Sequence, residues 1–524
     1  MPESLRHVVR DARFLGLVAL ALLLSVAMDL RRPDIGQPVG IANREATYHV
    51  LLTVAALAAS PMANHWFLPT VSLGRTADKH ISWGATRPGP HGDQIYTSFT
   101  PLGFLAPYAA FSLTGVAPTT GNLALFNIAL GSLCAFALYF LIVRLLACEG
   151  YGNGVAAAAG LAASAIAIFS REALVSFGIV YWSHSLYQLV FTLCLICVHG
   201  FLSAKNATTR RVWAWALLAS AFTGALTEWT GYLFNAGLIM VLLDDRRDST
   251  TARGLALGLG AASVAAAALT ILHFGLVIGF EATVTTMAER FFARNTAIGG
   301  MAALMRRYWL SFGFFALVVP ALFILLGSLL TWRRLKGGAG FRFARSPATL
   351  PVLAVACLPL LENVVLLQHA IQFSYDRLKF TLPAALLFAL AFSRFTPSAR
   401  AVFGIVMIVA SIHGYASYRT ELERDSAWRL ADISNRSIAS QVANSVDVEC
   451  AVFASNLLVR GYANLLFNRG IHELMVPREA AILMARQGAC ASIYLEGSGG
   501  DLPRYVKATI VRPDGLVTVI TADE

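Results

Sequence analysis

Apolar residues run through this chain in long stretches, interrupted by short polar and mostly basic breaks. The first stretch, about Phe14 to Leu30, follows Arg6, Arg10 and Arg13 and stops at Arg31 and Arg32. No small-residue cleavage site closes it, so it reads as a signal anchor and first spanning helix. Further stretches lie near Leu123–Ala147, Gly154–Phe169, His184–Ser203, Val212–Thr227, Gly231–Leu243, Gly254–Phe274, Trp309–Thr331, Thr349–Leu367, Thr381–Phe392 and Ala401–Ser417. Several are shorter than the roughly 20 residues of a full span. Together they predict a polytopic α-helical membrane protein with about 11 transmembrane helices.

Loop charge orients these helices, because Lys and Arg collect on the cytoplasmic side. With the N-terminus inside, the inner loops carry Arg144, then Lys205, Arg210 and Arg211, then Arg246, Arg247 and Arg253. Arg333, Arg334, Lys336, Arg342 and Arg345 follow, and then Arg394 and Arg400. The alternation holds only if Pro101–Val116 does not cross. Residues 31–122 are therefore a long external loop with two interfacial helices, Ala46–Ala59 and Leu102–Val116. A second external loop, 277–308, interleaves apolar and basic residues over Glu281–Arg307.

Residues 1–417 form the transmembrane domain. From residue 418 to 524 the pattern changes to a helix (Glu421–Asn444), strand-like runs (Ala451–Ala454, Ala491–Leu495, Val506–Val511) and a turn at Pro513-Asp514-Gly515. This predicts a small external α/β domain.

Composition narrows the class. The chain of 524 residues is 57% hydrophobic and 14% charged, with a mean hydropathy of +0.62; a soluble domain carries roughly 25% charge. Soluble, disordered, coiled-coil and collagen classes are excluded. The net charge of +11 sits in the short loops, which argues for topology and against nucleic acid. Of seven cysteines, five lie in or beside apolar stretches and act as small hydrophobes. Cys450 and Cys490 lie in the polar tail and pair if it faces an oxidising compartment.

Candidate chemistry falls on the external side. Arg44, Glu45, Tyr48 and His49 open the first interfacial helix. A carboxylate there can take a proton from an acceptor hydroxyl, or simply be a first-turn helix charge beside Arg44. His91, Asp93, Tyr96 and Pro101 precede the second. His91 with Asp93, or Asp78 with His80, offer oxygen and nitrogen ligands to a divalent cation such as Mg or Mn. Arg290, Arg294, Arg306 and Arg307 suit a lipid-borne phosphate or anionic headgroups. Glu362 sits in an apolar stretch, where an ionisable group marks a functional site. His369, Tyr375, Arg377 and Lys379 follow it, and Glu228 with Trp229 lies at an external turn.

Five segments in this order resemble the GT-C superfamily of integral-membrane glycosyltransferases. They are Arg44-Glu45 with Tyr48; Thr100-Pro101-Leu102-Gly103-Phe104; FALYFLIVRLL (136–146); GALTEWTGYLFNAGLIMVLLDDRR (224–247); and ERFFARN (289–295) with HAIQFSYDRLKFTLPAALL (369–387). The branch is similar to protein O-mannosyltransferases and the lipid A aminoarabinose transferase. The resemblance implies transfer of a sugar from a polyprenyl-phosphate-linked donor to a lipid, glycan or protein acceptor on the outer face of a bacterial inner membrane, usually with inversion. It implies Glu45 as base or acceptor-positioning group, and Arg294, Arg377 and Lys379, assisted by Arg44, as phosphate ligands. Tyr48, His91, Asp93, Tyr96, Glu228, His369 and Tyr375 are the further donor or acceptor candidates. The chain departs from the family in its lone Glu45, in Thr100-Pro101 where two prolines occur, and in Glu228 where Lys is common. An O-antigen ligase or polymerase is the alternative enzyme, and a flippase or transporter of lipid-linked glycans the alternative without catalysis.

Overall fold

The computed structural model describes residues 11–37, 44–75, 79–81, 83–243, 249–294, 300–317, 321, 346–423, 426–474, 476–499 and 503–522. Arg246, Arg247, the basic run Arg333–Arg345, Asp78 and the end of the stretch Trp309–Thr331 lie outside them. The chain divides into two compact units. One comprises residues 1–35, 124–268 and 292–420; the other comprises 36–123, 269–291 and 421–524.

The first unit is helical. Among the described residues of both units, five helices are long and apolar enough to cross a membrane: Ala12–Asp34, Thr120–Cys148, Ser183–Ser203, Thr250–Ile278, whose residues from 269 on belong to the second unit, and Pro397–Leu422. A bent pair, Asn153–Phe169 with Arg171–Ile179, makes up to six. Helices also cover the predicted stretches at Ala207–Thr227, Thr230–Leu243, Thr349–Cys357 with Pro359–Val365, and Thr381–Arg394. Small residues permit the tightest approach: Ala156, Ala159, Gly160 and Ala163 are buried, and a Cβ on Gly160 would stand 2.9 Å from the Tyr139 ring.

The bent pair turns by 64°, and its backbone leaves the helical region at Phe177 and Gly178. Within an apolar bundle, carbonyls freed by such a break need partners. The Asn127 amide donates to the carbonyls of Ser176 (2.9 Å), Gly178 (3.1 Å) and Val180 (2.9 Å). Arg31 donates through Nη1 to Phe177 O at 2.7 Å. Two side chains from other helices thus hold the irregular segment that precedes Ser183 and His184.

The second unit combines the first loop with the C-terminal segment. The tail forms a five-stranded sheet of β3 (Val452–Ser455), β4 (Ile471–Glu473), β5 (Ser492–Ser498), β6 (Arg504–Val511) and β7 (Val517–Thr521), ordered β4-β3-β5-β6-β7. A separate hairpin pairs β1 (Thr86–Pro88) with β2 (Gln94–Tyr96). The three predicted runs became β3, β5 and β6. β4 and β7 were not predicted, being a short strand and an edge strand with little apolar alternation. β4 and β5 run parallel to β3, while β6 and β7 are antiparallel. Helix Ser426–Ser445 covers the sheet: Asn435 donates to Pro503 O and accepts from Tyr505 N, both at 2.7 Å. Cys450 and Cys490 are joined by a disulfide.

Helix Glu45–Ala59 differs from the prediction. Its residues from Thr47 to Val54, and Ala56 and Leu57, are buried. Gly470 N donates to Leu73 O at 3.1 Å, Trp83 Nε1 to Val459 O at 3.4 Å, and the His80 and His472 rings stack at 4.9 Å. The tail domain therefore covers this helix, taking the place of the lipid expected beside it. Helix Leu102–Thr114 does expose its C-terminal half.

Candidate functional site

In the first unit, buried ionisable side chains form one continuous chain. Glu228, just past the end of helix Ala207–Thr227, accepts from Ser183 Oγ at 2.9 Å and from Trp229 N at 3.1 Å. Its Oε2 lies 3.3 Å from His184 Nδ1. His184 Nε2 reaches Asp376 Oδ1 at 2.9 Å, and His369 Nδ1 lies 3.3 Å from Asp376 Oδ2. Lys379 Nζ donates to Asp376 Oδ1 at 2.8 Å and also pairs with Glu362, which accepts from Thr230 as well. Every ionisable member is at most 8% exposed. Thus residues up to 192 positions apart in sequence contribute to one network, which short-range pattern cannot reveal.

Burial pushes His369 down to about 4, so its imidazole is neutral at pH 7. The charge of Arg294, at the end of helix Phe280–Arg294, acts in the same direction. Burial alone would raise the Asp376 carboxyl, but Lys379 and the two imidazoles outweigh it and hold the group well below its ordinary value. For Lys379 burial acts downward, and Asp376 and Glu362 reverse it, raising the ammonium. Three acidic side chains, Glu228, Glu362 and Asp376, thus surround His184, His369 and the single ammonium of Lys379.

Arg377 is committed to the framework. Its Nε donates to Ser311 Oγ at 2.9 Å and Nη1 to Phe373 O at 3.0 Å and to Ala370 O. Tyr375 stacks on Trp182, with ring centroids 5.8 Å apart.

The second unit carries Arg44 and Glu45 at the start of helix Glu45–Ala59. Arg44 is 1% exposed. Its guanidinium hydrogen-bonds the Tyr48 hydroxyl, while Nε and Nη1 have no hydrogen-bond partner among the described residues. Burial raises the Tyr48 phenol, with Arg44 opposing. Both Glu45 carboxylate oxygens are shielded from solvent. The backbone of Gly461, which opens the short helix Gly461–Phe467 of the tail domain, presses on them: a Cβ there would stand 3.1 Å from Glu45 Oε1. Tyr462 meets the Tyr48 ring edge-on at 5.1 Å and donates to Asp432 at 2.8 Å. His49 lies among Trp83 (4.5 Å), Tyr96 (4.4 Å) and Phe104 (5.9 Å), and burial depresses it to about 3.

The remaining candidates separate. Asp93 is fully buried and pairs with Lys79 at 2.6 Å, whereas His91 is exposed two residues away. Such a pair does not converge on a common ion. Arg290 donates to Ser98 at 3.1 Å, and Arg306 and Arg307 are exposed. The cation-binding geometry lies elsewhere: ligand atoms of His184, His369 and Asp376 fall within 4.8 Å of one another. Sequence reading passed over His184 and Asp376. Asp376 stands between two residues it did single out, Tyr375 and Arg377; a search for cations skipped the acid that fixes Lys379. His184 was read only as the first residue of the span His184–Ser203, and stands in the first turn of helix Ser183–Ser203.

The backbone matches solved structures. ArnT from Cupriavidus metallidurans, in the apo state, superimposes with a TM-score of 0.53 at 13% identity, covering 92% of each chain. ArnT bound to undecaprenyl phosphate gives 0.54 at the same identity and coverage. The apo oligosaccharyltransferase of Archaeoglobus fulgidus gives 0.55 at 12% identity, covering 98% of this chain and 75% of that one. The chain has the GT-C fold. That archaeal enzyme was also solved with an inhibitory peptide and a dolichol-phosphate, and with Zn and sulfate. No family model matches the sequence, and no curated protein does. The likeness is one of fold, in line with the motif order in the sequence.

Proposed function

We propose that the protein is a glycosyltransferase that moves a sugar from a polyprenyl-phosphate-linked donor to a lipid, glycan or protein acceptor, with inversion. The observation that carries this reading is the GT-C fold combined with a solvent-shielded Arg44–Glu45 pair at the start of helix Glu45–Ala59. Glu45 would orient the acceptor hydroxyl and take its proton as the oxygen attacks the anomeric carbon. The bond from that carbon to the phosphate oxygen breaks, and the lipid phosphate leaves with the electron pair. Arg44, two of whose guanidinium nitrogens have no hydrogen-bond partner among the described residues, is the cation beside Glu45 that can meet phosphate charge. Lys379 and Arg377 would contribute by holding the acidic network in shape.

The network also fits a divalent cation. Its three converging buried ligand atoms come from two imidazoles and a carboxylate, a set that suits Zn or Mn better than Mg. His184, His369 and Asp376 would hold such an ion, which would supply Lewis-acid stabilisation of phosphate oxygens.

We read the topology as about 11 helices in a bacterial inner membrane, N-terminus cytoplasmic and tail domain outside. The Cys450–Cys490 disulfide supports an oxidising location for the tail. The test is sugar transfer in proteoliposomes with radiolabelled polyprenyl-phosphate sugars and a crude lipid and glycan acceptor extract. Turnover by wild type that is lost in Glu45→Gln at equal folded yield is expected. Turnover that survives Glu45→Gln overturns the assignment of the base. Absence of turnover with every donor overturns the donor class and favours a ligase or transporter.

A further inference from the structure

After helix Glu45–Ala59 the first loop makes a turn that no catalytic role explains. Trp66 and Phe67 both have left-handed backbone, with φ of 48° and 60°. Large L-residues avoid that region, and two in succession persist only where surrounding contacts impose it. Those contacts are present. His65, 1% exposed, accepts from Phe67 N through Nδ1 at 2.9 Å, and its Nε2 lies 3.2 Å from Ser60 O. This fixes the tautomer with the proton on Nε2. His273 donates through Nε2 to Trp66 O at 2.6 Å. The strained backbone thus serves to push side chains outward: Met62 is 59% and Trp66 60% exposed.

The surroundings say what covers them. His273 belongs to the last turns of a span-length apolar helix, Ser249–Ile278, whose Leu272 and Leu276 are 49% and 69% exposed. Leucines exposed on such a helix face lipid. The turn is bonded to that helix through His273 and so continues its lipid-facing surface at the helix end. Phe67 also lies 6.1 Å from Tyr108 on helix Leu102–Thr114, whose Leu113 is 87% exposed. An indole with its N–H at an apolar–polar boundary is the side chain that settles at the headgroup level.

We infer that the Met62–Phe67 turn is a lipid-inserting hook: the phospholipid boundary at the C-terminal end of helix Ser249–Ile278 is the partner of Met62, Trp66 and Phe67. In this role it replaces the buried Glu45–Ala59 helix as the element of the first loop that grips the bilayer. A protein partner on the same patch is the competing occupant.

The test places photoreactive benzoylphenylalanine at Trp66 in the full chain, reconstituted in nanodiscs of phosphatidylethanolamine and phosphatidylglycerol. The control carries it at Leu458, an exposed position of the tail domain. Irradiation should yield phospholipid adducts at 66 and none at 458, and His65→Ala should reduce the yield at 66. Adducts at 66 only to protein, or equal lipid adducts at both sites, overturn the proposal. If the substituted chain does not fold, quenching of tryptophan emission by brominated phospholipid is compared between wild type and Trp66→Phe. Loss of quenchable emission in Trp66→Phe is expected; identical quenching of both overturns it.

Discussion

Gly461→Ala is the substitution whose effect follows most directly from the geometry. The added methyl would lie 3.1 Å from Glu45 Oε1, 3.3 Å from His49 N and 3.3 Å from the Tyr48 carbonyl carbon. All three groups belong to the first turns of one helix, so relief requires that turn, or the Glu45 carboxylate, to move by a few tenths of an ångström. Gly461 opens helix Gly461–Phe467 and lacks a positive φ, so Ala fits the backbone and returns about 0.5–1 kcal/mol of helix preference. Crowding of this kind costs about 1–3 kcal/mol, and for a single methyl the lower end applies. The two nearly cancel, and thermal stability should change by about 1 kcal/mol or less. Catalysis is less forgiving, because a shift of ~1 Å in a reacting group costs up to about 100-fold. We therefore expect roughly a 10-fold loss of kcat for Gly461→Ala and a larger loss for Gly461→Val, with donor KM little changed. The assay is initial-rate sugar transfer in proteoliposomes, run also in the Glu45→Gln background. There Gly461→Ala should lower the residual rate no further, since the carboxylate whose placement it disturbs has already been replaced by an amide that cannot take the proton. Full activity of both Gly461 variants, or an undiminished loss without Glu45, would refute the claim that the tail domain positions this carboxylate.

Four further outcomes are expected. Reducing Cys450–Cys490, which closes a separation of 40 residues, should cost the tail domain about 4 kcal/mol on the chain-entropy model; a reductant-insensitive melting temperature would contradict this. His65 is depressed by burial, so the folded chain binds fewer protons than the unfolded one below the ordinary value of about 6.5. Stability is then fully present above that pH and falls as pH drops through it, an effect that thermal melts should find missing in His65→Gln. Asp93→Ala would strand the buried Lys79 and should destabilise by about 3–5 kcal/mol, whereas His91→Ala should be neutral in the same denaturation assay. Zn or Mn should be retained through gel filtration by wild type and lost from Asp376→Asn or His369→Ala, measured as metal content per chain; equal retention by all would remove the ion from the acidic network.

Much of the bundle was legible because an apolar environment writes itself into composition. The runs at Leu123–Ala147 and His184–Ser203 return as helices Thr120–Cys148 and Ser183–Ser203 almost to the residue. The tail was legible for the same kind of reason: Ala451–Ala454, Ala491–Leu495 and Val506–Val511 are the buried central strands, while β7, exposed at alternate positions on the edge, gave little signal. What failed was the inference of environment from an apolar helix alone. Glu45–Ala59 has the composition of a lipid-facing helix because it is buried, and burial by protein or by lipid demands the same residues. Asp93 failed likewise, since a carboxylate beside His91 gives no hint that its partner is Lys79, 14 residues earlier.

The acidic network shows why cations named from sequence need their partners. Lys379 and Arg377 follow Tyr375 in a stretch that reads as a phosphate clamp, yet an ammonium between Asp376 and Glu362 is already neutralised. A guanidinium bonded to Ser311 and backbone carbonyls likewise has little left to offer an anion. A phosphate approaching Lys379 would meet two carboxylates with it, and at low dielectric that repulsion is as strong as the attraction. Buried Arg44 is in the opposite position, with two nitrogens unspent among the described residues. If the chain handles a lipid phosphate, the charge that meets it has to come from groups of the second kind, or from an ion that His184, His369 and Asp376 are arranged to hold.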